Sequence, residues 1–330
     1  MSYSLIDITG LGSVGPCGPV SGPLRGPVPA PSVVTAWPTA GPRHALSAAP
    51  FRFADVLPNV NTRRLDRLSV WSLAAAALAL RDAGLDLSTV DGSRTAVVSA
   101  TGFGCLDLTE AYLNSAHEHG WQQTDPIYFP ETLGNVPAAH VARVFGCLGP
   151  NVTVGSRGPA AETALLTAAS LLRRGQADRA LVLAGDTLTR CLFDWYEAAG
   201  RLSADECGFV PSEGVAAIVL EASARQRARA RMLDAGWVHP DGSERLASDT
   251  AAATLVCKTQ TVPVGLRAAL SPQGCFAPAC AIGDGLSDTG GLFRILTALG
   301  TAPTAARLLV LGAAPSGSWA AVLLEVLAHD

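Results

Sequence analysis

Apolar residues recur along most of the chain, and helical spacing alternates with strand spacing. Helical spacing predicts a helix over Leu65–Leu85, where an Ala-rich middle is followed by Gly84. A continuous apolar run predicts a buried strand over Thr95–Ala100, and a second helix is expected from about Leu108. Alternation of this kind is typical of an α/β sheet.

The centre of the chain has the clearest pattern. NVTVG predicts a strand that enters a turn, PAAETALLTAASLLRRG predicts a helix, and ADRALVLAGD predicts a second buried strand. Pro159 suits the first helical turn, and Gly175 suits the left-handed position after the last one. The pattern therefore predicts a strand–helix–strand unit.

The flanking segments are less regular. Many of the 22 prolines lie in 11–50, which predicts an extended, turn-rich or partly disordered segment after a short β-like run, SLIDITGLG. A strand is expected in GVAAIVLE, followed by a basic helix over ARQRARAR, residues 224–231. The pattern is weak from Asp241 to Ala281. The C-terminal part predicts a glycine turn, a helix (LFRILTALG) and a hairpin of two strands, ARLLVLG and SWAAVLLEVL.

Composition and charge exclude several classes of protein. The apolar fraction of 48% supports a sizeable core, and a formal charge of -4 provides no basic field for nucleic acid. The longest apolar stretch is too short for the ~20 residues that a bilayer requires, so we expect no membrane insertion and a cytoplasmic location. The eight cysteines form no CxxC pair, and only His117 and His119 lie close together. We expect neither a metal site nor a cofactor.

Four segments, in order, resemble the β-ketoacyl synthases of the thiolase fold. They are the early helix, the segment YFPETLGNVPAAHVARVFGCLGP, the strand–turn–helix that begins at Asn151, and GFVPSEGVAAIVLE. The resemblance implies a single domain over 1–330 with a duplicated α/β/α/β/α layered architecture. Its two pseudo-repeats would cover about 1–225 and about 226–330, since VTVGSRGPAAETALLTAASLL and CAIGDGLSDTGGLFRILTAL follow one plan.

The catalytic positions that the resemblance aligns are all changed. The family carries a nucleophilic cysteine at the turn before the central helix, where this chain has Gly158. A family lysine and histidine align with Gly283 and Asp288, and the HGT motif is missing from the sequence. A carboxylate at 288 would repel a developing enolate. A Gly158→Cys substitution alone is therefore not expected to restore condensation.

A ketosynthase-like chain without its cysteine resembles the chain-length factor of type II polyketide synthases. The resemblance implies a catalytically inactive subunit that forms a heterodimer with an active ketosynthase, meets an acyl carrier protein through that complex, and helps to set acyl chain length. It also implies an interface with the Asn151–Val154 strand near the twofold axis. Glycine departs from the glutamine common at this position in chain-length factors. Related partners occur in polyene systems, including aryl polyenes.

The helix predicted in FGCLDLTEAYL has two interpretations. The resemblance places Leu106, Thr109 and Leu113 at the end of the partner's acyl tunnel, with Phe103 at the position that gates elongation. Alternatively the segment is an amphipathic core helix, because positions 106, 109, 110 and 113 share one face. The sequence leaves both open.

Other polar residues have alternative interpretations as well. Ser156 is expected to be exposed on the turn and could serve a rebuilt thioester hydrolase or acyltransferase, although no motif places a histidine beside it. His140 is interpreted as structural, and Glu213 as a buried carboxylate bonded to backbone amides. Asp284 and Asp288 are interpreted as loop caps rather than metal ligands. A homodimeric acyl-binding scaffold is a further alternative.

Overall fold

The computed structural model describes residues 5–37, 43–86, 91–156, 158–202, 209–222, 227–238, 253–257, 290–313 and 319–328. The strands are β1 (Ile6–Gly15), β2 (Gly18–Ser21), β3 (Ser32–Val33), β4 (His44–Ala45), β5 (Thr95–Thr101), β6 (Asn151–Gly155), β7 (Arg179–Asp186), β8 (Gly214–Ala222), β9 (Ala230–Val238), β10 (Thr254–Cys257), β11 (Arg307–Ala313) and β12 (Trp319–Val326). The α-helices are α1 (Phe53–Val56), α2 (Arg67–Asp82), α3 (Leu106–His119), α4 (Val136–Val144), α5 (Ala160–Arg173), α6 (Arg190–Ala198) and α7 (Gly291–Thr301). Two 3-10 helices, Trp121–Gln123 and Pro126–Thr132, follow α3.

One mixed sheet forms the centre of the described structure. Its strand order is β10-β11-β12-β9-β1-β8-β7-β5-β6, and β2 pairs with β1 as a hairpin. Strand β5 is parallel to both β6 and β7, and β10 is parallel to β11, whereas the other neighbours are antiparallel. Strand β6 therefore ends the sheet on one side, with one hydrogen-bonded neighbour among the described strands.

Helices cover both faces of this sheet. Successive side chains of a strand point to opposite faces, and in β5 the alternate residues Ala96, Val98 and Ala100 join a core cluster with α5 and α7. Val97 points to the other face, where it packs in a second cluster with α2 and α4. Strands β11 and β12 contribute to the same cluster as β5, α5 and α7, so these two helices lie between the two halves of the sheet, and α2 and α4 cover the outer face of one half. This agrees with the layered α/β architecture expected from the sequence.

Helix α2 lies directly against the backbone of β1. A Cβ added at Gly10 would lie 2.1 Å from the Ala79 carbonyl oxygen, and one added at Gly12 would lie 2.4 Å from the Ala75 oxygen. Alanines in the middle of α2 are fully buried, so small side chains on the helix meet glycines on the strand. This contact sets the distance between the helical layer and the sheet.

Most elements expected from the sequence are confirmed. The helix predicted over Leu65–Leu85 is α2, the strand predicted over Thr95–Ala100 is β5, and the central strand–helix–strand unit is β6, α5 and β7. Gly175 has φ +66° after α5, as its position at the helix end predicts. The C-terminal helix and antiparallel hairpin are α7, β11 and β12.

Some predicted boundaries and elements are wrong. The expected basic helix over 224–231 is contradicted from Arg227 onward, because residues 227–229 are not helical and β9 begins at Ala230 and pairs with both β1 and β12. Helix α3 begins at Leu106 rather than about Leu108, and Pro159 is the residue before α5 rather than part of its first turn. The β-like run at the start extends through Gly15, so the first residues of the Pro-rich segment lie in a buried strand.

We expect Gly12→Ala to lower the free energy of unfolding by about 3 kcal/mol, because the new methyl group overlaps the α2 backbone and the helix must move off the sheet. Urea unfolding of the purified chain measures this. Gly236→Ala is the matched control, since a Cβ added at Gly236 in β9 meets no atom within 4 Å. Equal stabilities of the two variants would contradict the close α2–β1 contact.

Candidate functional site

The turn between β6 and α5 is the elbow at which the resemblance places the nucleophile. Gly158 is buried here, and its N–H donates to Ser156 Oγ at 3.1 Å. Ser156 is half-buried rather than exposed, which corrects the expectation. Among the described residues, its hydroxyl oxygen has this backbone N–H as its partner and no histidine. The elbow therefore presents a glycine at the nucleophile position and an unactivated serine nearby.

A buried ion pair involves the first turn of α5, just after the elbow. Glu162, four residues after Gly158, accepts a hydrogen bond from Arg294 of α7 at 3.2 Å, and the two side chains are only 1% and 6% exposed. This pair was not predicted from the sequence. The available signal was a glutamate on an otherwise apolar face of α5, together with an arginine within the apolar run of α7.

Several other candidate positions lie outside the part of the chain that the structure describes. Gly283, Asp284 and Asp288 lie outside the described residues, as does most of the weakly patterned stretch from Asp241 to Ala281. In the described ranges, no group of three or more histidine, cysteine, aspartate or glutamate side chains is arranged to hold a metal ion. No described helix has the length and apolar character needed to cross a membrane.

The described cysteines include no activated thiol near the elbow. Burial raises the pKa of Cys147 to about 11 and raises that of Cys105 further, because the thiolate form is poorly solvated in the core. Cys17 and Cys191 are exposed, on the β1–β2 turn and at the start of α6. None of these four positions reproduces the missing nucleophile.

The loop that enters α3 is held by Asp186 at the end of β7. Its carboxylate accepts hydrogen bonds from Thr101 Oγ1 (2.6 Å), Gly102 N (3.0 Å) and Phe103 N (3.1 Å). Thr101 Oγ1 also accepts from Gly104 N at 2.8 Å. This network fixes the backbone at Phe103, the proposed gating position.

Asp66 joins the first turns of α2 and α3. One carboxylate oxygen accepts from Leu68 N at 2.8 Å and the other from Leu108 N at 2.9 Å, so a single side chain caps both helices. Burial is the largest influence on this group and raises its pKa to about 6, although both hydrogen bonds oppose the change. The position of α3 therefore depends on a carboxyl group that titrates near neutral pH.

The four proposed gating residues do not share one environment. Phe103 and Leu106 are half-buried and pack against a cluster that contains Leu192 and Phe193 of α6. Thr109 Oγ1 donates to the Cys105 carbonyl at 2.7 Å and lies 3.3 Å from the Thr132 carbonyl. Leu113 is 50% exposed, and Ala116 is the buried residue of α3. The alternative of a core helix is therefore wrong at Leu113.

Exposed apolar side chains concentrate on α3 and the two 3-10 helices that follow it. We call this surface the α3 patch; it comprises Leu113, Trp121, Ile127, Tyr128, Phe129 and Leu133. Tyr112 links its parts, with ring centroids 6.4 Å from Trp121 and 6.0 Å from Phe129. Trp121 is 68% exposed and Phe129 54%. A group of exposed apolar side chains that is rich in aromatic residues is typical of a protein–protein interface.

Two polar residues, Glu213 and His140, prove to be structural. Glu213 accepts from the N–H groups of Ala48 (3.1 Å) and Leu188 (3.0 Å), which confirms its interpretation. Burial raises the pKa of Glu213, while Arg67, at 3.0 Å, opposes the change. His140 contacts Glu131 at 2.9 Å and Arg143 at 3.1 Å, so it is also satisfied within the chain.

A polar cleft of about 810 Å³ lies between residues 32–37, α3 and the start of α6. Arg67 lies in its wall and contacts Asp107 (3.0 Å), Glu213 (3.0 Å) and the Leu188 carbonyl (3.0 Å). The charge of Arg67 is therefore compensated by the chain itself. Arg190 also lines the cleft, and its guanidinium lies 3.5 Å from Asp194.

Comparison with known proteins defines the class. The model of the β-ketoacyl synthase N-terminal domain matches residues 31–226. In structure, the chain is similar to the ishigamide ketosynthase/chain length factor, with a TM-score of 0.71 and 20% identity over 98% of this chain and 100% of that one. It is also similar to one chain of a complex described as a type II PKS acyl-carrier protein with its ketosynthase. The TM-score is 0.76, with 17% identity over 98% of this chain and 100% of that one. The fold is therefore the thiolase-like ketosynthase fold.

Sequence relatives agree with the fold. The 3-oxoacyl-[acyl-carrier-protein] synthase 2 of Vibrio harveyi is 26% identical over 194 residues, which are 54% of this chain and 47% of that protein. The match thus spans about half the length of the curated relative. This chain belongs to the β-ketoacyl synthase family.

The pKa of Asp66 predicts a pH-dependent stability. Because its folded pKa of about 6 lies above the ordinary aspartate value of 3.8, the folded chain holds this proton more tightly than the unfolded chain. Asp66 therefore lowers the free energy of unfolding as pH rises from about 4 to 7, by roughly 2 to 3 kcal/mol. Urea unfolding at a series of pH values measures this slope.

Asp66→Asn should remove this part of the slope, since the amide does not titrate. Asp91→Asn is the control, because Asp91 is exposed and a backbone hydrogen bond from Ser93 lowers its pKa. That variant should keep the wild-type slope between pH 5 and 7. An Asp66→Asn profile parallel to the wild type would show that Asp66 does not titrate in this range.

Proposed function

We propose that this chain is a catalytically inactive ketosynthase-like subunit of the chain-length-factor type, which pairs with an active ketosynthase in a type II polyketide or polyene synthase. The observation that carries the proposal is Gly158 at the elbow. A thiolate at the start of α5 would be stabilised by the helix N-terminus, but glycine has no nucleophile to stabilise. Ser156 has no described base to activate it, so no observation favours the hydrolase or acyltransferase alternative.

Pairing is supported by two surfaces that lie side by side. Strand β6 ends the sheet, and its residues are half-buried or exposed. Asn151 of β6 donates to the Ala138 carbonyl of α4 at 3.2 Å, and α4 contacts the 3-10 helix Pro126–Thr132 through His140 and Glu131. The sheet edge thus continues through α4 to the α3 patch. A partner that extended the sheet at β6 would also cover the patch and could supply the ~800 Å² per subunit that a stable interface requires.

The proposed role in chain length rests on Leu113, which combines exposure with a position inside the α3 patch. Its exposed half would face the partner, where it could limit the space open to a growing acyl chain. Thr109 lies one turn earlier and is held by hydrogen bonds to two carbonyl groups. Phe103 and Leu106 pack towards α6, so we propose that they support α3 from behind. The acyl carrier protein would meet the complex through the active partner.

Coexpression with a ketosynthase that retains its cysteine should give a one-to-one heterodimer, measured by size-exclusion chromatography with light scattering. Phe129→Ala or Trp121→Ala should weaken the complex about 30-fold, because aromatic anchors at interface centres contribute about 2 kcal/mol or more. Trp195→Ala is the control, since Trp195 is 44% exposed on α6, outside the patch. A homodimer that ignores the ketosynthase would support the scaffold alternative instead.

Leu113→Ala should leave the chain's own free energy of unfolding within about 0.5 kcal/mol of wild type, because half of this side chain is already exposed. In the reconstituted complex it should shift the products towards longer chains, since the partner's tunnel gains space. Leu113→Phe should shift them towards shorter chains. Mass spectrometry of the products distinguishes these outcomes, and an unchanged distribution in an intact Leu113→Ala complex would remove length control from this residue.

A further inference from the structure

We infer that the Glu162–Arg294 pair closes the interior beside the Gly158 elbow to acyl chains, so that this subunit contributes no acyl-binding space of its own. The inference rests on the proposed function, because it concerns how the silent subunit differs from a chain-binding one. It assigns to two buried residues a role in determining which subunit of the complex can hold the substrate.

Glu162 lies beside the elbow in the folded chain. It belongs to the first turn of α5, and its carboxylate and the ring of Pro159, the residue after Gly158, both lie against Gly312. This carboxylate is 1% exposed. An acyl chain that entered beside Gly158 and extended past Pro159 would therefore meet the carboxylate.

Three chain segments converge on that carboxylate without leaving room for a methyl group. A Cβ added at Gly291, the first residue of α7, would lie 2.3 Å from Glu162 Oε1. One added at Gly312, near the end of β11, would lie 2.7 Å from Glu162 Oε2 and 2.4 Å from the Cβ of Pro159. Glycine at both positions lets α7 and β11 approach the start of α5 this closely. The space around the carboxylate is filled by protein.

Charge adds to this steric closure. Arg294 comes from α7, and its charge compensates Glu162 inside a core that otherwise contains aliphatic and aromatic residues such as Phe293 and Leu292. A hydrocarbon chain that displaced either partner would leave a buried charge unpaired, which is strongly unfavourable. Both the packing and the charge of this site thus oppose an apolar ligand.

Thiol accessibility tests the closure directly. In Gly158→Cys, alkylation by iodoacetamide, followed peptide by peptide with mass spectrometry, should be at least about 100-fold slower at position 158 than at the exposed Cys191. The buried Cys105 reports unfolding in the same sample, and Cys17 is a second exposed reference. Adding Glu162→Ala should accelerate the reaction at position 158 at least about 10-fold while Cys105 stays unreactive.

A second probe covers the case in which Gly158→Cys does not fold. Ala161→Cys adds only a sulfur to an existing Cβ that faces Gly291, next to the same carboxylate, and should be equally slow to react. Reaction of either probe within a few-fold of Cys191, with Cys105 unreactive, would overturn the inference. Chromatography of the same variants with the ketosynthase reports pairing separately. A variant that pairs with the ketosynthase but whose probe thiol reacts quickly contradicts only the closure. A variant whose probe thiol is unreactive but that does not pair with the ketosynthase contradicts only the proposed function.

Discussion

The close approach of α2 to the backbone of β1 is the contact on which the rest of the described structure depends. Gly10 and Gly12 remove the side chains that would separate the helix from the sheet, and the alanines of α2 meet them. At this spacing α2 also packs against α4 in the same core cluster. Any larger side chain on the strand would displace the whole helical layer, because protein cores are close-packed and tolerate little added volume.

Residues at the start of α2 hold α3 in place. Asp66 caps both helices, and Arg67 bonds Asp107 of α3 and Glu213 at the start of β8. The exposed apolar surface on α3 is therefore carried by a helix whose own apolar burial is small and whose location comes from polar contacts. A helix held in this way can present Leu113 and its aromatic neighbours to a partner without needing them for its own core.

The two sides of the sheet have different chemistry. Alanine, leucine and valine dominate the contact of α2, whereas the opposite core contains the buried Glu162–Arg294 pair between α5 and α7. A buried ion pair contributes little net stability compared with apolar side chains of similar volume, but loss of one partner is strongly destabilising. The pair therefore ties the start of α5 to α7 and fills the space next to the elbow. A glycine at the nucleophile position and this buried ion pair both support the proposed function of a subunit without its own condensing centre.

Sequence alone determined the elements whose signals are local. Helical and strand periodicity identified α2, β5, α5 and β7, and Gly175 marked the end of α5 because only its left-handed backbone suits that position. The absence of a nucleophile at Gly158 was likewise readable, since it depends on one residue in a recognisable segment. Only tertiary structure decided the features that join distant residues. Strand β9 exists because it pairs with β1 and β12, which overrides the helical tendency of its basic start. Glu162 and Arg294 are 132 residues apart, and Asp66 caps a helix that begins 40 residues later. Leu113 has the spacing of a core residue, yet it is exposed because no described element covers that face of α3. The spacing of apolar residues along the chain does not predict which faces of a helix other elements cover.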